Sequence, residues 1–548
     1  MVTRDSATTF HVRVNLVLVR VVVRDSHGNV IDSLKKEDFQ LFDNRKLQTI
    51  STFGLDTPSS HIVSTATAND QAGADAGQPA QPIAPVAPIA NVPQRFVSLV
   101  FDDLNLVMGD AMNVRIAAGK ILDGMSPSDR VSLSTTSGQV HQDFTADREL
   151  LQKALSQLTP RPTFPASAQD CPNVSYYQAD LIVNKNDDQA LTVATQDALQ
   201  CAFGGDPKEL AAAKNLALSV ANRAVSTGDA SSDLAYRHME DALRRLAGMP
   251  GQRKMVFVSP GFIISTLFSE RSDMVDRANR ANVVIDTIDA RGLYTPDVLG
   301  DIANPLQHSA ATSGIAAGYR IAAQSAQSEI LQDLAYGTGG SYFHNRNDLD
   351  VAFRQAISAP AASYLLGFSP QNLKLNGSFH TLKVSLVGKR PYSIQARRGF
   401  YAPRTRKDPE ETAKEEIQEA VFSQEEIRDL PVDLQTQFFR TDPAKVRLSV
   451  LAHVDLKAVK FRRVDDRNRD DLTLATVVFD ENGNFVNGSE KILEMKLLDA
   501  TLARLDRSGI TVKSSFDVKP GSYLVRLVVR DKEGELMAAR NGAVVIPY

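Results

Sequence analysis

The sequence predicts an α/β protein in which a mostly parallel sheet carries helices on both faces and is flanked by N- and C-terminal all-β, sandwich-like modules. Three observations predict it. Arg95 to Leu106 (RFVSLVFDDLNL) has five apolar residues among its first seven, stops at the carboxylates Asp102 and Asp103, and is followed by Val114, Ile116, Ala117, Ile121 and Leu122 near helical spacing. A short run rich in β-branched and aromatic residues, bounded by turn formers, reads as a buried strand. Strand-like and helix-like segments then alternate through residue 300, the pattern of a parallel sheet. Residues 11–53 and 446–548 instead read as strand and turn.

Composition bounds the function. A chain of 548 residues has room for two to four domains. Basic and acidic residues number 61 and 65, so the net charge of −4 gives no push toward nucleic acid or an anionic membrane. Spanning a membrane takes ~18 consecutive apolar residues, and the longest candidate, Leu16 to Val23, is broken by Arg20. Met1-Val2-Thr3-Arg4-Asp5 lacks the apolar core of a secretory signal, which leaves a cytosolic protein or a mature chain with an added start Met. Cys171 and Cys201, thirty residues apart in one segment, form either a single disulfide or two buried thiols.

In order, residues 1–55 form an N-terminal β module and 56–94 an Ala/Pro-rich flexible linker, with Pro79, Pro82, Pro85, Pro88 and Pro93 favouring extended chain. Residues 95–370 form the α/β domain. Its first helix is capped by Asp110, strands follow at Asp129–Ser134 and Val140–Phe144, and Asp147–Leu158 is a helix. Residues 159–207 break the rhythm and read as an insertion with helix near Asp188–Leu199. Two helices, 208–226 and 231–247, precede buried strands at Lys254–Ser259 and Asn282–Asp289. Ser309–Gln327 reads as loop, and the glycines of 337–340 end a helix. Tyr364–Phe368 is the last strand of this domain; 371–403 hold closing strands, 404–440 a charged helical connector, and 441–548 a C-terminal β-sandwich module.

Catalytic signatures are sparse. The nine histidines never pair at HxH or HExxH spacing, and the chain has neither a G-x-S-x-G elbow nor a P-loop. Asp286 and Asp289 beside Arg291 read as structural strand-end carboxylates. Three segments, 21–31, 477–486 and 527–537, repeat strand, Asp-x-x-Gly, strand; they read as hairpins, because a calcium loop needs more ligands and a distal Glu.

Taken together, RFVSLVFDDLNL, SDRVSLSTTSGQVHQDFTADRELLQKALSQL, RKMVFVSPG, ANVVIDTIDARGL and LQDLAYGTGGSYF resemble a von Willebrand factor A domain, a Rossmann-like fold. More narrowly, the chain is similar to the VWFA-related proteins of acidobacteria, through VNLVLVRVVVRDSHGNVIDSLKKEDFQLFDN and the cysteine-bearing insertion. The resemblance implies export, to the periplasm, the cell surface or the medium. It also implies a magnesium or manganese site of Asp-x-Ser-x-Ser, Thr and Asp, a set of hard oxygen ligands. That site is degenerate here. Asp102 matches the first Asp, but Leu104 and Leu106 stand at the serines; shifting by one gives Asp103 and Asn105, then Val107. Thr227, Ser231 and Ser232 lie near the Thr position without a clean match, and Pro260 replaces the late Asp. Asp102, Asp103 and Asn105 are thus the candidate residues of a weakened ion site, or else loop carboxylates bonded to backbone.

The resulting expectation is a protein that is not an enzyme. It binds a protein or a surface polymer outside the cytoplasm, without nucleic acid or a membrane span. The alternative is a self-assembling structural component of the envelope or of an extracellular assembly. A metal-assisted hydrolase using Asp102 and Asp103 ranks third.

Overall fold

The computed structural model describes residues 17–26, 29–56, 64–65, 67–68, 93, 95–162, 171–263, 268–293, 312–358, 362–370, 376, 378–388, 390–402, 409–422, 426–442 and 445–547. They build a mixed α/β protein with several sheets, one of them largely parallel and the others mostly antiparallel. The chain divides into two compact units, Met1–Ser60 with Ala359–Lys407, and His61–Ser358 with Asp408–Tyr548. Most of the expected 56–94 linker lies outside the described residues. Within it, Ser64–Thr65 and Thr67–Ala68 pair in parallel with strands Met537–Ile546 and Val432–Asp442.

The first unit holds two four-stranded antiparallel sheets. One runs Ser393–Ala396, Val17–Arg24, Ser363–Phe368, Ile50–Asp56; the other runs Gly399–Tyr401, Phe379–Leu386, Phe39–Asp43, Lys46–Gln48. Val19, Val21 and Val23 alternate inward and meet Leu41, Tyr364, Leu366 and Phe368. The Tyr364 hydroxyl accepts from Leu34 N (3.0 Å) and donates to Ile31 O (2.9 Å), so this buried ring also fastens the loop after the first strand. Tyr364–Phe368, expected in the α/β domain, therefore belongs with the N-terminal strands, as do the closing strands after residue 371. A short continuous apolar run does not distinguish a parallel strand from a sandwich-core strand.

In the second unit, six strands lie in the order Tyr342–Phe343, Val283–Asp289, Gln252–Ser259, Arg95–Phe101, Asp129–Thr135, His141–Thr145. Numbered along the chain this is 3-2-1-4-5-6 read from the His141 edge. All neighbours are parallel except His141–Thr145, which runs antiparallel. The helices are α1 (Met108–Asp123), α2 (Arg148–Ser156), α3 (Tyr176–Val183), α4 (Asp188–Phe203), α5 (Leu210–Ala247), α6 (Phe268–Arg280), α7 (Ser313–Thr338) and α8 (Leu349–Ile357). Val97, Leu99, Phe101, Val131, Leu133, Val256 and Val258 are fully buried; α1, α2 and α8 close over them with Val114, Leu122, Leu151, Leu155 and Phe353.

Three helical expectations change. The helix α1 starts two residues before Asp110, with Val107 at its cap. The pair 208–226 and 231–247 is one 38-residue helix, α5. Gly228 does not break it; a Cβ there would lie 2.3 Å from the Tyr176 ring, and the Tyr176 hydroxyl donates to Asp229 Oδ1 (2.5 Å). Glycine serves a close approach of α3. Ser309–Gln327, expected as loop, is helix α7 from Ser313 onward. Alanine is the strongest helix former, and Ser325 and Ser328 donate their hydroxyls to Ile321 O and Gln324 O one turn back. As expected, α7 ends at Gly339, left-handed with φ 83°.

Cys171 and Cys201 form a disulfide with Cα atoms 5.9 Å apart. It ties the segment just before α3 to the last turn of α4. The expected 404–440 connector splits into a helix, α9 (Pro409–Phe422), and strands Ile427–Arg428 and Val432–Asp442 that belong to the sandwich. Its two sheets enclose Leu448, Val450, Leu472, Leu474, Val525, Leu527 and Val529.

All three repeated segments are Asp-anchored turns. The side chains of Asp25 and Asp480 accept the backbone N–H of Asn29 (2.9 Å) and Asn484 (2.9 Å), and that of Asp531 accepts Gly534 N (2.8 Å). The Asp480 turn also joins the sandwich to the parallel sheet, since Glu481 O accepts both Nε (3.0 Å) and Nη2 (2.7 Å) of buried Arg130. Gly483 has φ 83°, and a Cβ on it would lie 2.3 Å from Phe96 Cζ. Gly483→Ala is expected to cost about 2 kcal/mol through overpacking and left-handed strain. Faster proteolysis of the sandwich, with the secondary structure of each part retained, checks this.

Candidate functional site at the carboxyl end of the parallel sheet

The strand order reverses between Arg95–Phe101 and Gln252–Ser259, and in open α/β sheets ligands collect in the crevice beyond such a switch point. Both strands deliver polar residues there. Asp102 N donates to Val258 O (2.9 Å), which holds the acidic loop against the neighbouring strand. Asp102, Thr136 and Ser259 are completely buried, and Asp103 nearly so.

Asp102 is the hub. Its Oδ1 accepts from Thr136 Oγ1 (2.8 Å) and Asn105 Nδ2 (3.0 Å); its Oδ2 accepts from Ser259 Oγ (2.5 Å) and Asn105 Nδ2 (2.9 Å). Asp103 Oδ1 accepts from Ser137 N (2.8 Å) and Thr136 Oγ1 (3.2 Å), and Oδ2 from Ser137 Oγ (2.6 Å). The ends of three adjacent strands are thus tied through two carboxylates. Burial pushes the Asp102 carboxyl up to about 6; the hydrogen bonds from Ser259, Thr136 and Asn105 oppose this, and the charge on Asp103 adds to it.

The expected trio of Asp102, Asp103 and Asn105 is brought together, but as a hydrogen-bonded clasp. A magnesium or manganese ion takes lone pairs of carboxylate and hydroxyl oxygens. Here protein donors engage every oxygen of both carboxylates, and Asn105 turns its nitrogen toward Asp102. As arranged, these residues do not fit the ion. Among the described residues, no group of three or more His, Cys, Asp or Glu side chains is placed to hold a metal.

Thr227, Ser231 and Ser232 lie inside α5, where Ser232 donates to Ile263 O (2.9 Å). The hydroxyls that reach the acidic loop, Thr136, Ser137 and Ser259, were not singled out from the sequence. The signal for them was the STTSG run after the second strand and the serine closing Lys254–Ser259. Asp286 pairs with Lys254 (2.8 Å), and Asp289 holds Arg291 by two hydrogen bonds (2.9 and 2.7 Å), a structural use of both carboxylates.

Beside the clasp, α1 turns an apolar stripe to solvent. Val107, Met108, Met112 and Ile116 are 62, 59, 54 and 59% exposed, whereas Ala111, Val114, Ala117 and Ala118 on the same helix are buried. The 108, 112, 116 spacing keeps these side chains on one face.

No family model and no curated protein matches the chain. Among solved structures, it is matched to β-glucuronidase 2 of Bacteroides uniformis, covalently bound to cyclophellitol-6-carboxylate aziridine (13% identity, 21% of this chain and 13% of that one, TM-score 0.14). A glycosyl hydrolase family 2 member from Bacteroides cellulosilyticus also matches (9% identity, 35% and 21%, TM-score 0.16). A third is the TFIIH p34 N-terminal domain (12% identity, 49% and 98%, TM-score 0.20). The chain spans 13 and 21% of the two hydrolases' lengths. The expectation that the chain is not an enzyme is withdrawn, since glycoside hydrolases stand among the matched structures. At TM-scores of 0.14 and 0.16 the likeness assigns neither a glycosidase fold nor an activity.

Proposed function

We propose that this is an exported protein that binds a protein partner through the carboxyl end of the sheet of a von Willebrand A-like domain. The exposed stripe Val107, Met108, Met112 and Ile116 carries this reading. Contiguous apolar surface beside a polar crevice marks interaction sites, and methionine adapts to varied partners. The stripe favours a protein over a surface polymer, because apolar side chains supply the desolvated anchors of protein interfaces. The 3-2-1-4-5-6 order with an antiparallel third strand supports the von Willebrand A-like assignment. A disulfide is compatible with an oxidising compartment, and among the described residues no helix is long and apolar enough to cross a membrane.

Met112→Asp on the full chain is the test. It is expected to weaken retention of the partner captured from an envelope fraction at least tenfold, with the thermal midpoint unchanged, since the side chain already faces solvent. Equal capture by wild type and variant would overturn the reading. Wild-type dimers dispersed by Met112→Asp in light scattering would make the partner a second copy of the chain.

A further inference from the structure

The C-terminal sandwich holds two buried carboxyl groups that the proposed function does not use. Strand Arg467–Phe479 pairs antiparallel with Gly521–Asp531, and Leu472 stands opposite Asp531. Asp470, two residues along, shares a face with Leu472, so it is a diagonal neighbour of Asp531. Asp531 is fully buried and Asp470 is 2% exposed. Each oxygen of Asp531 accepts one backbone donor, Gly534 N on Oδ1 (2.8 Å) and Lys460 N on Oδ2 (3.1 Å). Asp470 Oδ1 accepts Glu533 N (3.1 Å), but its Oδ2 is buried without a donor. A buried carboxylate oxygen with no donor and a second carboxylate beside it holds a proton.

The cations nearby are already engaged. Lys532 pairs with Asp471 (3.1 Å), Arg462 with Glu533 (3.5 Å) and Arg469 with Asp465 (2.6 Å). Lys460 contributes its backbone N–H. From the other neighbouring strand, Met495 stands opposite Asp470, and the flanking Lys496 and Glu494 pair with each other (3.4 Å).

We propose that Asp470 and Asp531 share one proton and form a pH-sensitive latch fastening the turn 532–536 to strand Arg467–Phe479. Burial raises the Asp470 carboxyl to about 7; the Glu533 N–H opposes this and the charge on Asp531 adds to it. Once the proton leaves, two buried like charges face each other, and their repulsion, against the Glu533 N–H bond that favours the ionised form, opens the turn. The folded state keeps a proton that the unfolded chain releases near pH 4, so this group's contribution to stability falls as pH rises from about 4 to 7.

Hydrogen exchange of the full-length chain, read by mass spectrometry on peptides covering 467–472 and 530–537, tests the latch. In wild type, protection corrected for intrinsic rates is expected to fall at least tenfold between pH 6 and pH 8. Asp470→Asn mimics the protonated acid and is expected to hold protection constant over that range. Flat wild-type protection, or the same fall in Asp470→Asn, would overturn the proposal. Protection restored at pH 8 by calcium alone would also overturn it, by making the pair a cation site.

Discussion

Replacing Asp102 by alanine is expected to destabilise the parallel-sheet part by on the order of 3 kcal/mol, because buried donors left without an acceptor each cost about 1–3 kcal/mol. Ser259 and Thr136 are completely buried, and both donate to Asp102 across strand ends. Thr136 keeps Asp103 Oδ1 at 3.2 Å, whereas Ser259 Oγ and Asn105 Nδ2 lose the acceptor they share. A lowered urea midpoint with an unchanged slope is the expected observation, and an unchanged midpoint would contradict it. The same carboxyl carries a pH signature. Its folded value of about 6 lies above the ordinary 3.8, so the folded state keeps a proton the unfolded chain has lost. Its contribution to stability is therefore full below about pH 4 and declines as pH rises to about 6. Asp102→Asn is expected to flatten that slope, checked by thermal midpoints between pH 4 and pH 7.

Breaking the disulfide is expected to cost about 3–4 kcal/mol by loop-closure entropy for thirty residues. The packing around it shows why the insertion relies on the bond. Helices α3, α4 and α5 meet through Ala179, Ala190, Ala194, Ala198, Ala213, Ala217 and Ala221. Alanines let helices approach closely but bury little apolar area per residue. Ile182, Leu199 and Val225 add larger buried side chains to this contact, and the covalent tie adds to their apolar contribution. Cys201→Ser, or a reducing agent, is expected to lower the unfolding temperature and open residues 171–207 to protease. Equal cleavage rates for oxidised and reduced protein would refute this.

The sequence made the sheet legible where strand and helix alternate. Arg95–Phe101, Asp129–Thr135, Gln252–Ser259 and Val283–Asp289 were readable because buried parallel strands are continuous apolar runs. Pairing partners were not. Ser363–Phe368 has the same local pattern, yet it pairs antiparallel with Val17–Arg24, more than 300 positions away. The Ala/Ser/Gly composition of 309–327 suggested a loop because small residues serve both states; from Ser313 on, that stretch continues into the apolar turn of Ile330, Leu331 and Leu334 as one helix, with Ala316 and Ala317 buried. At the candidate site, Asp102 and Asp103 stood out as charges ending an apolar strand. Their hydroxyl partners lie more than thirty and more than 150 positions away, and a hydroxyl at a strand end has no distinctive sequence pattern. The α1 stripe was hidden for a related reason: Ile116 was read as part of the inward pattern, and only the packed structure shows it facing solvent.

Asp102 is the hub of an internal hydrogen-bond clasp at the carboxyl end of the sheet, its lone pairs engaged by protein donors and not by an ion. Thermal unfolding of wild type and Asp102→Ala in EDTA, then in magnesium or manganese, tests this most directly. An ion bound only to the folded state stabilises by RT ln(1 + [L]/Kd), about 2.7 kcal/mol at a hundredfold excess over Kd. The clasp predicts the same midpoint for wild type in EDTA and in either metal. A rise with magnesium or manganese that disappears in Asp102→Ala would contradict it and make the acidic loop an ion site.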